Sequence, residues 1–351
     1  MMILLIFISS IVLSLLINWI LIKYSVNLGI RNLSRKEEIR WQKRKPSVGG
    51  LSFYLVFLIL YAVVSNLVFL NVFGNISFQI KNDLSLVIVA TMGFFIGLID
   101  DAKNTNPLLK LLGQITCGIV LVSFGLIIPI SPNLVWNGIF TILWTVFLMN
   151  SINMLDNMDG LTASVSVLIL LGFLLYIGFG FIMLSSIMIL TIIGALIGFL
   201  YYNWNPSRVY MGDSGSQFLG IALAHLSILL LWGNRTLEGG YFQVNQFFLP
   251  LMVFTIPIFD TTTVTIHRLL RRQSPFVGGK DHLSHHLVFL GLKDWQSVTI
   301  LAFINLVFIL LGNFLNQSKY YLPIFALWLL VFICLQYFYI KAKKESPMNA
   351  Q

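Results

Sequence analysis

At 351 residues the chain is long enough for two or three soluble domains, but 58% hydrophobic residues, 10% charged residues and a mean hydropathy of +0.88 exclude a water-soluble globular protein. The net charge of +9 would suit nucleic acid, yet the basic residues fall between apolar runs, so anionic headgroups and anionic substrates are the expected partners and nucleic acid is not. Cys117 and Cys334 both lie inside apolar runs and behave as small hydrophobes, so neither a disulfide framework nor a thiolate metal site is expected.

Apolar runs of about 20 residues recur along the chain, each able to cross a hydrocarbon core roughly 30 Å thick as a helix. The first, Met1 to Ile22, has no basic segment before it and no small-residue cleavage site after it, and is read as a span. Spans are predicted near residues 2–22, 51–71, 84–99, 111–130, 134–152, 161–178, 181–201, 217–233, 246–268, 297–314 and 321–340. The predicted fold is therefore all-α: a polytopic transmembrane helix bundle of about 11 spans, forming one integral membrane domain over residues 1–351. Near Gly178 and Gly180 two short stretches could instead be one broken helix, and Ser34 to Lys45 is a charged amphipathic stretch between the first two spans.

Cytoplasmic loops carry the excess of Lys and Arg. With an odd span count and the N-terminus outside, 19 of the 22 basic residues fall on the cytoplasmic side, along with the C-terminus. Of the 13 acids only Asp83 and Glu238 fall outside.

Four constellations gather on the cytoplasmic side. Asp100-Asp101 ends the third span; adjacent carboxylates this close to lipid are costly unless a cation or proton resolves them, and Mg²⁺ would do so, although a helix-end pair bonded to a nearby Lys is the plainer reading. Next, Asn150 and Asn153 stand about one helical turn apart and lead into Asp156, Asp159 and Gly160, a set of oxygen ligands richer than turn chemistry alone requires. Tyr202-Asn203-Trp204-Asn205-Pro206 and Met211-Gly212-Asp213-Ser214-Gly215-Ser216 open the eighth span, where Asp213 and Ser214 read as N-cap residues at a helix start that also suits phosphate. The last large loop carries Arg268, Arg271, Arg272, Lys280, His282, His285 and His286, suited to clamping phosphoryl oxygens; the histidines share a face if helical, which also fits zinc. Asp260, after Pro257 in the ninth span, has no evident role, and His225 and His267 read as structural polar residues.

Together these residues, from Lys45-Pro46-Ser47-Val48-Gly49-Gly50 to the histidine loop, resemble the polyprenyl-phosphate N-acetylhexosamine-1-phosphate transferases, glycosyltransferase family 4. The resemblance implies transfer of a sugar 1-phosphate from a UDP-sugar to a polyprenyl phosphate lipid, most directly GlcNAc-1-phosphate to undecaprenyl phosphate, with UMP released and Mg²⁺ (or Mn²⁺) required. It implies that Asp213 ligates the metal, Asp100 deprotonates or orients the acceptor phosphate, and Asp101 supports the metal or acceptor. Asn150, Asn153, Asp156, Asp159 and Asn203 would line the nucleotide and sugar site, with Arg272, His282 and His285 near the diphosphate or sugar. The implied location is the bacterial plasma membrane with the site facing the cytoplasm, and a homodimer is compatible. Departures from the family pattern fall at Ser284 and His286 in the histidine loop, and at Trp41 and Ser47 in the first loop. The alternatives are transfer of phospho-MurNAc-pentapeptide, an inactive lipid-binding relative, and a cation-coupled transporter, which would place its acids near mid-membrane.

Overall fold

The computed structural model describes residues 2–24, 45–69, 80–177, 184–232, 245–274, 279–316 and 320–345, and every regular element among them is helical. In chain order these are α1 (Met2–Tyr24), α2 (Gly49–Phe69), α3 (Ile80–Lys103), α4 (Pro107–Ser123), α5 (Leu134–Leu155), α6 (Leu161–Ile177), α7 (Leu184–Asn203), α8 (Gly212–Ser227), α9 (Asn245–Val253), α10 (Thr255–Leu270), α11 (Leu283–Phe289), α12 (Asp294–Asn316) and α13 (Tyr321–Glu345). Each expected span coincides with a helix, but not all are full length. Eight single helices are long and apolar enough to cross a membrane, and the α9–α10 pair, bent by 84°, makes a ninth. Helices α4 and α6, where the fourth and sixth spans were expected, have 17 residues each. At 1.5 Å per residue such a helix covers about 26 Å, short of the roughly 30 Å core. The Gly178–Gly180 turn and nearly all of the Ser34–Lys45 stretch lie outside the described residues.

A helix surrounded by lipid has no reason to turn its apolar side inward, so its few polar residues mark the packed face. Helix α1 shows this: Ser10, Ser14 and Asn18 are buried while Leu4, Leu5, Ile8 and Leu16 face outward. Ser14 Oγ donates to the Ala195 carbonyl at 2.6 Å, and Asn18 Nδ2 donates to Ser52 Oγ at 2.8 Å, tying α1 to α7 and α2. Helix α8 is the axis of the bundle, with 94% of its most apolar window buried against 22% for α1 and α13. It is extended by a π-helical turn over Ile228–Trp232.

Irregular backbone inside the bundle is satisfied by side chains, as a medium without water demands. After α4 the chain returns through an extended stretch whose Ile128 amide donates to Thr141 Oγ1, while the Ile130 and Ser131 amides donate to Asn137 Oδ1. At the α9–α10 bend Asn305 works both ways, accepting from the Ile256 amide at 3.1 Å and donating to the Val253 carbonyl at 3.3 Å.

Helices α3 and α8 approach closely enough that a Cβ on Gly97 would lie 2.1 Å from the Asp213 carbonyl oxygen. Gly97→Ala must therefore push the start of α8 away, an overpacking cost of about 1–3 kcal/mol. Thermal unfolding in detergent is expected to show a lowered Tm for Gly97→Ala and no such loss for Gly138→Ala, whose Cβ would meet the two Val122 methyls at 3.6 and 4.0 Å, ordinary contact distances.

Candidate active site

The C-terminal end of α3, the N-terminal ends of α4 and α8 and the C-terminal end of α5 meet at one end of the bundle; Asp83 and His225 mark the opposite end of α3 and α8. Asp100 and Asp101, adjacent in sequence, do different work. Asp100 turns toward α4: its Oδ1 accepts from the Thr105 amide at 2.9 Å and Thr105 Oγ1 at 2.7 Å, and its Oδ2 receives Lys110 Nζ at 2.8 Å. Asp101 reaches α8, where Oδ1 accepts from the Asp213 amide at 3.0 Å and Oδ2 from the Ser214 amide at 2.9 Å. The N-cap of α8 is thus supplied by another helix, and not by Asp213 and Ser214 as the sequence suggested; Met211, at the cap position, makes no side-chain cap bond. Those two amides are consequently not free for phosphate. Gly212, at φ +74°, makes the turn possible, and a Cβ there would strike Ser47 Oγ and Asp101 Oδ2.

The Asp213 side chain is left pointing into the space between these ends. Its Oδ1 accepts from Asn153 Nδ2 at 2.8 Å and its Oδ2 receives Lys110 Nζ at 3.1 Å. Lys110 also donates to Asn153 Oδ1 at 3.3 Å, so one ammonium holds Asp100, Asp213 and Asn153 together. Asn153 further donates to Ser216 Oγ at 2.8 Å. Asn150, one turn earlier, pairs with Gln114 of α4, which donates to Gln217 of α8 at 3.0 Å. Lys110, Gln114 and Gln217 were not picked out as site residues from the sequence. A signal was there for the first two: Lys110 and Gln114 are the polar pair at i and i+4 on an otherwise apolar helix.

The α5–α6 turn completes this wall. Desolvation, followed by the Asp213 carboxylate, pushes the Asp156 carboxyl up to about 7. Asp159 Oδ2 accepts from the Ser207 amide at 3.0 Å and lies 3.5 Å from Lys45 Nζ, which donates to Ser207 Oγ at 2.9 Å and sits over the Tyr210 ring at 5.0 Å. Asn203, expected to bind substrate, is instead buried, with its amide spent on the Gly160 amide and the Val209 carbonyl. Both ends of the side chain brace backbone. Residues 46–50 pair with 210–211 through the Tyr210, Gly49 and Gly50 amides, which holds the α8 entry in place.

The histidine loop packs beside this cluster, joined to it by the Ser284 hydroxyl donating to Asn157 Oδ1. Arg268 grips Asp281 with two bonds of 2.7 and 2.8 Å, and Arg271 adds a third at 2.9 Å. Burial works against the Asp281 charge, but the Arg268 guanidinium outweighs it and holds the carboxyl down at about 2. Asp260 meets His282, with Oδ2 at 2.7 Å from Nδ1, and its Oδ1 accepts from the Leu283 amide at 2.8 Å. His285 is half-buried, and burial, then His282 and Lys280, lower it to about 4. His286 stacks on Tyr339 with centroids 3.8 Å apart and does not join the other two on one ligand face. Among the described residues no three His, Cys, Asp or Glu side chains are gathered to hold a metal, so the zinc alternative finds no ligand set. Arg272 is exposed at φ +57° and is not brought to the cluster. His225 is buried, bonded to Ser85 Oγ and the Asn82 carbonyl, and His267 stacks on Tyr339, as structural residues do.

The donor set at Asp100, Asp213 and Asn153 is all oxygen, which fits a hard cation such as Mg²⁺; two carboxylates leave most of its coordination to water and substrate phosphate.

Comparison with known proteins places this geometry in a family. Residues 84–231 match the model of glycosyl transferase family 4. The chain is 29% identical over 337 residues, 93% of its length and 88% of the relative's, to the probable undecaprenyl-phosphate N-acetylglucosaminyl 1-phosphate transferase of Bacillus subtilis (strain 168). It is 30% identical over 302 residues, 76% of its length and 84% of the relative's, to the phospho-N-acetylmuramoyl-pentapeptide-transferase of Staphylococcus aureus (strain MSSA476). With the decaprenyl-phosphate N-acetylglucosaminephosphotransferase of Mycolicibacterium smegmatis it shares 27% identity over 304 residues, 79% of its length and 73% of the relative's. The chain belongs to glycosyl transferase family 4, and its fold is that of a multi-pass membrane protein.

Lys110 Nζ lies within 3.1 Å of both Asp100 and Asp213, so losing Lys110 leaves two carboxylates uncompensated, whereas losing Asp213 leaves the ammonium paired with Asp100 alone. A double-mutant cycle of Lys110→Met and Asp213→Asn, read by thermal unfolding, is expected to give a coupling of about 0.5–3 kcal/mol, with the double variant more stable than the two losses predict. Additive losses would mean that the Lys110–Asp213 contact carries no energy.

Proposed function

We propose that the protein transfers a HexNAc-1-phosphate, most directly GlcNAc-1-phosphate, from a UDP-sugar to undecaprenyl phosphate at the cytoplasmic face of the bacterial plasma membrane. An oxygen of the lipid phosphate attacks the sugar-bearing phosphorus of the donor, the bond to the bridging oxygen breaks, and UMP leaves. What carries this reading is the convergence of Asp100, Asp213, Asn153 and Lys110 at one end of a membrane bundle, in a chain whose relatives are named for this chemistry. A transporter would hold its acids at mid-bundle, whereas these stand at helix ends.

Phosphoryl transfer is mostly positioning and charge neutralisation. Asp213 and Asp100 would hold Mg²⁺ (or Mn²⁺), with the Asn153 amide oxygen at hand; the bound ion supplies neutralisation of the diphosphate. Lys110 keeps the two carboxylates in register and adds a positive charge beside them. Asp100, bonded to Lys110, is placed to orient the acceptor phosphate or take its proton. Asp101 contributes by fixing the backbone at Asp213, since its oxygens are on the α8 amides. Asn150, Asp156 and the turn held by Asp159 face the donor's nucleotide and sugar, and His282 and His285 its diphosphate.

The test is transfer of label from UDP-[¹⁴C]GlcNAc into lipid by the purified protein with undecaprenyl phosphate, with and without Mg²⁺. Metal-dependent lipid product with UMP release is expected, with Asp213→Asn losing nearly all of it and Asp83→Asn, at the far end of α3, retaining it. No product with any UDP-HexNAc, but product with UDP-MurNAc-pentapeptide, would transfer the protein to the peptidoglycan reaction.

A further inference from the structure

Asp260 is an acid with no place in the reaction as described, and it is 2% exposed inside α10, among apolar neighbours that include Phe259. A buried carboxylate persists only where its oxygens are bonded. Here both are committed to the start of α11: Oδ2 to His282 Nδ1 at 2.7 Å and Oδ1 to the Leu283 amide at 2.8 Å. We propose that Asp260 is a positioning residue for His282, fixing the proton on Nδ1, turning Nε2 toward the donor's diphosphate, and stabilising the imidazolium when Nε2 takes or holds a proton. This rests on the proposed transfer reaction.

Asp260 is itself held in register with the acidic cluster. Ser151, between Asn150 and Asn153 on α5, is fully buried; its hydroxyl donates to the Pro257 carbonyl and meets Thr261 Oγ1, both at 2.7 Å. One residue of the helix that carries the substrate-facing amides thus bolts α10 on both sides of Asp260. The Asn157–Ser284 bond closes the same circuit from the loop side.

The surroundings favour a protonatable His282. Burial by itself lowers an imidazole, but Asp260 and then Asp281 raise His282 above its ordinary value, against the opposing Arg268. His285, its ring centroid 6.2 Å away, is lowered to about 4, with Asp260 and Asp294 of α12 pulling the other way. Tyr339 of α13 stacks on the neighbouring His286. The loop therefore holds one histidine whose protonated form is favoured by its neighbours and one whose neutral form is.

Asp260→Asn keeps an oxygen for the Leu283 amide but offers N–H to His282 Nδ1, which forces the other tautomer. Expected for the full-length enzyme in detergent are a kcat lowered by about 10- to 100-fold with a smaller change in the KM for the UDP-sugar, a His282 titration moved to lower pH in ¹⁵N-histidine NMR, and the matching limb of the kcat/KM profile moved with it. His282→Asn combined with Asp260→Asn should be no slower than His282→Asn alone, and Asp260→Glu should restore the wild-type titration in part. A wild-type titration and tautomer in Asp260→Asn, or losses that multiply in the double variant, would overturn the assignment. If Asp260→Asn does not fold, Asp260→Ser, which removes the carboxylate, carries the NMR reading: a His282 titration moved to lower pH supports the pair and an unmoved one refutes it. The NMR is done without substrate, so a wild-type protein that makes no lipid product sinks the function while the titration still decides the pair.

Discussion

A carboxylate from one helix capping the start of another organises this molecule. Asp101 closes the N-terminus of α8 from α3, a service that a helix ordinarily obtains from its own cap residue. In a medium without water those amides have to be paired, and pairing them across helices fixes where α8 begins relative to α3. Gly97 permits the approach, and Gly212 permits the turn. The consequence is functional: Asp213, whose own amide is held by Asp101, has its carboxylate free to face Asp100, Lys110 and Asn153.

The second organising feature is the distribution of charge. Asp100, Asp101, Asp156, Asp159 and Asp213 crowd one end of the bundle, and among the described basic side chains Lys110 and Lys45 are the ones paired with that crowd. Burial first, and then this excess, raises Asp156.

The histidine loop is a separate piece of engineering, with its own ion pair and its own buried acid. Arg268 and Asp281 fold the loop back onto α10, Asp260 seizes the first turn of α11, and Ser284 ties the result to the α5–α6 turn. The loop departs from the family pattern at Ser284 and His286, and both departures are structural in this chain: Ser284 makes the tie to Asn157, and His286 stacks on Tyr339.

The sequence by itself determined the class of fold, the placement of the apolar helices and the end of the bundle where the acids collect, because each of these follows from runs of residues adjacent in the chain. It also determined the family, since the order of short polar motifs between spans survives without any knowledge of contacts. It did not determine that α4 is a short helix, because apolar composition continues past the last helical residue into a connection whose amides are satisfied by Asn137 and Thr141. Which residue does what was decided by tertiary structure alone. Asp100 and Asp101 are neighbours with opposite tasks because successive residues on a helix point some 100° apart and so meet different partners. Lys110, Ser151 and Asp260 acquire their meaning from partners 103, 106 and 22 residues away, and Asn203 is bonded to backbone that only folding brings beside it. Hydrogen bonds are satisfied by proximity in space, and for those residues the chain order carries no record of it.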